Sequence, residues 1–577
     1  MIAQLDTKSV YTFMESLVTI KDYVQVAKSM GYDALGIMDV DNLYGAYEFI
    51  EACQAQKLSP LVGLEIGLEV DNETIPFRMI ALSTRGYQNL MKMSTLKMMG
   101  KNNWEDVKHL TEGVAVIVPA PFASGDLPLG LDYFIGVFAD TPVQEFSHPV
   151  LPLHTVRFFE AEDVEAMQML AAIKDNQSLI ETGPIDPTTV LKTPQDLKND
   201  FAERFPQAIT NLEKLVQGIQ YDIDTQLKLP RFNPQKPAVE ELRELAQAGL
   251  LRKNLTSPVY QERLEYELDI IHQMGFDDYF LIVWDLLRFG RSQGYYMGMG
   301  RGSAVGSLVA YSLGITGIDP VEKNLLFERF LNVERYTMPD IDIDIPDIYR
   351  PEFIRYVRDR YGSYHAAQIV TFSTFGAKQA IRDVFKRFGV PEYELTSITK
   401  RIGFRDTLTT AYEQNLAFRQ VIHSRAEFER GFEIAKRIEG QPRQTSIHAA
   451  GVVMSDQDLT DHIPLKYGED MFVTQYDAHA VEANGLLKMD FLGLRNLTFV
   501  QKMKEAVYEK YQEEIVIEAI DLEDPEALAL FAAGDTKGIF QFEQAGAIRL
   551  LRRVRPNHFE DCLLYTSPSP RDRTRSR

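Results

Sequence analysis

Ten residues near the middle of this chain, MPDIDIDIPD from Met338 to Asp347, set three aspartates two residues apart with isoleucines between them. Successive side chains of a strand point to opposite faces, so Asp340, Asp342 and Asp344 share one face while Ile341, Ile343 and Ile345 share the other. Aspartate is depleted in strands. Three carboxylates roughly 6.6 Å apart along one pleat repel one another unless a cation lies among them. The chemistry that suits them is a pair of divalent ions clamped about 3.5 to 4 Å apart, which steadies the attacking and leaving oxygens of a displacement. The competing reading is a solvated edge strand with an acidic face.

A third carboxylate from elsewhere would strengthen the metal reading, and GLLKMDFLGL offers one. On a strand Lys488 and Asp490 face one way and Leu487, Met489 and Phe491 the other. Alone, this reads equally as an ion-paired strand. The stretch GMGRGSAVGSLVAYSLG puts Gly300, Gly302, Ser303 and Gly306 ahead of an apolar helical run. Glycine lets backbone approach a ligand closely, and free N–H groups at a helix start favour an anion such as phosphate. It is neither a Walker loop nor a GxGxxG fingerprint, so by itself it also reads as a tight turn. In AKQAIRDVFKRFG, Ala377, Ile381, Val384 and Phe388 form one helical face, while Lys378, Arg382 and Lys386 line another that suits a phosphate backbone or plain solvent. His448 stands alone, which favours a structural hydrogen bond. There is no Cys/His cluster for zinc and no G-x-S-x-G elbow.

These segments need a scaffold of several domains, since single cores stop growing at about 250 to 300 residues and the chain has 577. Residues 1 to about 210 alternate helices with short apolar strands, an α/β layer or barrel. Amphipathic helices dominate from about 235, and residues 375 to 445 are mostly helical and charged. The formal net charge of −22 argues against nucleic-acid binding by overall basicity, so any such surface is local. Two cysteines, Cys53 and Cys562, make no disulfide framework, and no signal peptide or long apolar run is present, which fits a cytoplasmic protein without membrane association. From Cys562 the sequence turns to Ser, Pro and Arg, a foreign-looking disordered tail.

Taken in order, GRGSAVGSLVAY, LLFERFLNVER, MPDIDID, SIHAAGVV, LLKMDFLGLR and KGIFQFE resemble the bacterial C-family DNA polymerases, from near residue 1 to about 561. The resemblance implies an α/β and α+β multidomain fold. Its parts are a PHP-like (β/α) barrel over 1–210, a nucleotidyltransferase-type palm in two pieces over 211–371 and 446–495, a helical thumb over 372–445 and the beginning of helical fingers over 496–561. It implies template-directed DNA synthesis in replication, with dNTPs and primer-template DNA as substrates and two Mg²⁺ ions in the palm. Asp340, Asp342 and Asp490 would be the catalytic and metal-binding carboxylates, with Asp344 less securely a fourth. Gly302, Ser303, Arg329 and Lys488 would contact the nucleotide, and Lys378, Arg382 and Lys386 the DNA. The family continues well past this chain, where it meets the sliding clamp and other replisome subunits, so a non-catalytic DNA-binding or scaffold fragment is the alternative.

The barrel departs from the family pattern. Where metal-binding PHP domains carry histidines, this sequence has Gln4, Asp6, Lys8 and Val40, and later ligand positions read Arg78 and Arg157, although Asp39 and Glu65 remain. Lysine and arginine cannot replace neutral imidazole as ligands. The expectation is a structural barrel with no metal and no exonuclease or phosphatase activity.

Overall fold

Short apolar runs between amphipathic helices form seven strands in the N-terminal part of the chain: β1 (Ala3–Gln4), β2 (Ala34–Val40), β3 (Ser59–Val70), β4 (Glu73–Ala81), β5 (Val114–Pro119), β6 (Phe134–Val137) and β7 (Val150–Pro152). The computed structural model describes residues 2–123, 127–334, 339, 341–539, 542–559 and 561, with the backbone alone for Glu518. Asp340 and the tail from Cys562 lie outside the described residues. Contacts divide the chain into two units, Met1–Ala238 with Pro351–Phe491, and Val239–Arg350 with Leu492–Arg577.

The seven strands pair in chain order. β1, β2 and β3 are parallel, β4 is antiparallel to both neighbours, and β5, β6 and β7 are again parallel. The β3–β4 hairpin turns on Asp71 and Asn72, both at positive φ, 49° and 68°, the two-residue turn whose twist matches that of the flanking strands. Past the outer strands Thr7 bridges Val156, Lys8 N donates to Val156 O and Val156 N donates to Asp6 O, both at 2.9 Å. The sheet therefore curls until its edges meet, giving the expected (β/α) barrel and leaving no long open edge.

The rest of the first unit holds five strands, Ala366–Thr374, Pro442–Met454, Leu465–Lys466, Val473–Thr474 and Leu487–Leu494. Ala366–Thr374 and Pro442–Met454 are antiparallel, and the latter pairs antiparallel with the last strand, Gly451 opposite Asp490. Between the first two the chain runs through five helices from Ala377–Arg387 to Ala426–Ile438, packed through Phe385, Phe428 and Phe432. His448 Nδ1 accepts the N–H groups of Gly451 and Ala450 where the strand register shifts, the structural hydrogen bonding its isolation suggested.

In the second unit the helices Pro258–Gln273 and Asp277–Ser292 precede the glycine-rich stretch, and a strand, Ile343–Pro346, follows it. Among the described residues regular strand starts at Ile343, although the alternation of acids and isoleucines runs from Asp340 to Ile345. At Ile341 the backbone N–H is spent on the Tyr279 hydroxyl, 2.9 Å away, and not on a neighbouring strand. Ile341, Ile343 and Ile345 are all buried, as the alternation requires. Among the described residues no helix is long and apolar enough to cross a membrane.

Gly36 of β2 shows how closely the barrel strands approach: a Cβ there would lie 2.5 Å from Leu5 O and 2.7 Å from Gln4 O. Gly36→Ala is expected to destabilise the barrel by roughly 1 to 3 kcal/mol, as overpacking does. The measurement is the urea midpoint of the barrel's unfolding followed by tyrosine and tryptophan fluorescence, and an unchanged midpoint would refute the close-approach argument.

Candidate functional site

Asp342 and Asp344 lie on one side of their strand, and a single guanidinium serves both. Arg301 Nε is 3.0 Å from Asp342 Oδ2 and its Nη2 is 3.3 Å from Asp344 Oδ1. The opening puzzle of adjacent acids thus has a local answer: the chain supplies its own cation. The two acids differ in setting, with the Asp342 side chain 30% exposed and that of Asp344 only 9%. Burial pushes the Asp344 carboxyl up, Arg301 pulls it back and Asp342 pushes it up again, leaving it at about 6. Sequence reasoning passed over Arg301, although it stands between Gly300 and Gly302 in the stretch already under suspicion.

The glycines bring that arginine into place. Gly298 N donates to Asp344 O at 3.0 Å, and a Cβ on Gly298 would fall 2.5 Å from Asp344 Cβ, so the 298–301 backbone runs directly along the acid strand. Gly302 has φ +67° and no atom within 4 Å of where its Cβ would be. That backbone is open to an incoming ligand, and Ser303 beside it is exposed. Gly306 closes the turn Gly302–Gly306 against a second short turn, Phe327–Arg329: its Cβ would meet Leu326 O at 2.8 Å. Gly302, Ser303 and the exposed Arg329 therefore belong to two turns packed against each other.

One part of the sequence argument needs correcting. The N–H groups that start the short helix Leu308–Ser312 are already occupied. Ser307 Oγ accepts from Ala310 N at 3.1 Å, and the Glu267 carboxylate accepts from Val309 N at 3.1 Å.

In the other unit, the strand Leu487–Leu494 buries Leu487, Met489 and Phe491, and turns Lys488 and Asp490 to the opposite face. Lys488 Nζ lies 3.1 Å from Asp490 Oδ2, while Asp490 Oδ1 is buried with no hydrogen-bond partner among the described residues. Buried polar atoms are rarely left so, and a hard oxygen with a spare lone pair is what a magnesium ion takes. On helix Ala377–Arg387, Lys378 and Lys386 are exposed and Arg382 pairs with Glu392.

The barrel's former ligand positions form a different kind of site. The Lys8 ammonium, fully buried, lies 2.5 Å from Asp6 Oδ1, 2.6 Å from Glu65 Oε2 and 2.7 Å from Met38 O. Arg78 adds contacts to Glu65 at 3.0 Å and to Asp6 at 3.6 Å. Asp39 is held by Ser9 and Thr12, Gln4 donates to His154 O, and Arg157 pairs with Glu15. These residues do not fit a metal, because a tethered ammonium fills the space among the carboxylates. Burial pushes the Asp6 carboxyl up, but Lys8 and Arg78, with hydrogen bonds from Lys8 and Thr155, hold it well below the usual carboxylate range.

Three family descriptions match the chain in order: PHP domain over residues 4–140, bacterial DNA polymerase III alpha NTPase domain over 239–493, and bacterial DNA polymerase III alpha subunit finger domain over 496–567. Curated relatives carry the name DNA polymerase III subunit alpha. One from Streptococcus pyogenes serotype M6 is 62% identical over 569 residues, 98% of this chain and 55% of the relative. Those from Bacillus subtilis and Halalkalibacterium halodurans are 36% and 34% identical, over 96% of this chain and 54% and 53% of theirs. The chain spans about half the length of the curated relatives it matches.

Two outcomes follow for the barrel cluster. Lys8→Met strands buried carboxylates and is expected to cost about 3 to 5 kcal/mol, read from denaturant unfolding. Because the Asp6 carboxyl is depressed in the folded state, its stabilisation is complete above its unfolded value of about 3.9 and is lost as pH falls below that. The barrel's thermal midpoint should then drop below about pH 4, less steeply in Asp6→Asn; equal acid sensitivity in the two proteins would refute it.

Proposed function

The chain belongs to the bacterial DNA polymerase III alpha-subunit family, and on that premise we propose that it carries the centre of a DNA-directed DNA polymerase, transferring deoxynucleotides from dNTPs to a primer 3′-hydroxyl opposite a template. The observation that supports this best is the pair Asp342 and Asp344, two acids on one pleat that tolerate each other through a single partly exposed guanidinium. A non-catalytic scaffold is disfavoured, because the polymerase match spans both acid-bearing segments.

Asp340, Asp342 and Asp490 are the proposed catalytic and metal-binding carboxylates. The fit to magnesium rests on the exposed Asp342 carboxylate and the unpartnered Asp490 Oδ1. Two Mg²⁺ ions, when bound, would ease deprotonation of the 3′-hydroxyl and neutralise the departing pyrophosphate. The open backbone at Gly302 and the Ser303 hydroxyl would take the triphosphate oxygens. Arg329 and Lys488 would donate to the same group, where their charge offsets what accumulates as the P–O bond breaks. Arg301 holds the acid pair in place before substrate arrives.

Lys378, Arg382 and Lys386 would track the duplex backbone by charge, without reading sequence. Primer-template DNA and dNTPs are thus the proposed partners, in the cytoplasm, with the sliding clamp and other replisome subunits engaged by parts of the relatives outside this chain. The barrel is proposed to be structural, without metal and without exonuclease or phosphatase activity.

In the full-length gene product, Asp342→Ala or Asp490→Ala should lower Mg²⁺-dependent primer extension by roughly 10³-fold or more with the circular dichroism unchanged. Near-normal extension in either variant removes that residue from the centre. Elemental analysis should find no stoichiometric Zn or Mn in the purified protein; finding either metal there, lost on mutation of Asp6, would overturn the structural reading of the barrel.

A further inference from the structure

The glycine-rich turn is gripped from behind by one face of the helix Pro258–Gln273. Arg263, Tyr266 and Glu267, three and four residues apart, share that face. Glu267 is fully buried, and its Oε2 accepts from Ser307 Oγ at 2.9 Å and from Val309 N at 3.1 Å, just after the turn. Its Oε1 takes the Arg263 Nε at 2.6 Å. The guanidinium then reaches forward: Arg263 Nη2 donates to Gly306 O at 3.1 Å and to Leu325 O at 3.2 Å. Tyr266 OH donates to Glu328 Oε1 at 2.9 Å, beside Arg329. One helix face thus ties together the turn holding Gly302 and Ser303 and the turn holding Arg329.

A buried carboxylate is costly unless it is paired and hydrogen-bonded, and Glu267 meets both conditions. A helix-start N–H pair could be satisfied by a serine alone, as Ser307 does for Ala310. The added arginine, with its planar fork, fixes at once a carbonyl that ends the first turn, Gly306 O, and one two residues ahead of the second, Leu325 O, a geometric task that a cap does not require.

We propose that Arg263 and Glu267 are positioning residues that set the spacing of the two triphosphate-contacting turns and hence the affinity for dNTP, not the rate of the chemical step. This rests on reading Gly302, Ser303 and Arg329 as nucleotide contacts. Neither residue touches substrate. Arg263 fixes carbonyls behind the turns, and Glu267 orients Arg263.

The test is steady-state single-nucleotide incorporation by the full-length polymerase, with Asp342→Ala as the inactive control. Arg263→Lys keeps a charge beside Glu267 and loses the fork, so KM for dNTP should rise about tenfold with kcat within about twofold and KM for primer-template unchanged. The double change Arg263→Met with Glu267→Leu replaces a buried ion pair by apolar side chains of similar volume, a swap that is often neutral for stability. Here it also leaves Ser307 Oγ and Val309 N without their acceptor, so the thermal midpoint falls, while the folded enzyme should still show KM for dNTP raised about tenfold or more with kcat within about twofold. A wild-type enzyme that extends primers while both variants keep its KM for dNTP overturns the latch alone. Loss of kcat with KM unchanged overturns it too, since that is the mark of a catalytic or merely folding defect. A wild-type enzyme that fails to extend overturns the polymerase reading on which the latch rests.

Discussion

Carboxylates crowded into a low-dielectric setting must share a cation. At an effective dielectric of about 20, two unit charges 4 Å apart interact by roughly 4 kcal/mol, enough to decide a local fold. This chain meets that constraint twice, with opposite designs. In the barrel the cation is Lys8, fully buried, and its three N–H donors are matched by Asp6, Glu65 and Met38 O. No donor is left over and the ammonium is tethered to the strand, so no other ion can enter without displacing a covalently held group. Around Asp342 and Asp344 the cation is Arg301, whose side chain is 38% exposed. A guanidinium that reaches two acids from a solvent-facing loop is held less tightly than a fully buried ammonium, and that difference separates the open acid pair from the closed barrel cluster.

The three glycines around this second site act for two different reasons, which treatment as a single motif conceals. Gly298 is needed because the backbone runs against Asp344, and Gly306 because it runs against Leu326 O. Among the described residues a Cβ on Gly302 would meet nothing within 4 Å, and its positive φ is one that glycine adopts without strain. Two of these glycines serve packing, and the packing makes the third useful by bringing the Arg329 turn alongside.

Much of this was readable from residue order. Period-two alternation correctly sorted Ile341, Ile343 and Ile345 from Asp342 and Asp344, and Leu487, Met489 and Phe491 from Lys488 and Asp490, because burial on one face is a local property of a strand. Lys8, at a position where the family resemblance implies histidine, was readable too, since an ammonium cannot do what a neutral imidazole does whatever surrounds it. Arg301 and the Arg263–Glu267 pair were not, because their meaning lies in contacts across the chain; Glu267 meets Ser307 forty positions away. A signal for Glu267 did exist. It falls within the apolar stripe Leu264, Leu268 and Ile271 of its helix, and a charge on such a stripe must find a buried partner. The late start of the strand at Ile343 was missed because alternation cannot tell that Ile341 gives its N–H to a tyrosine.

The different settings of the two neighbouring acids also separate their roles in the proposed centre. Asp344 is the more buried, and burial pushes its carboxyl up to about 6. Its backbone carbonyl already holds Gly298, and its side chain shares Arg301. Asp342 is more exposed, with Arg301 Nε 3.0 Å from its Oδ2. Burial and backbone contact thus make Asp344 the more constrained of the two, which leaves Asp342 as the member of the pair proposed to take a metal.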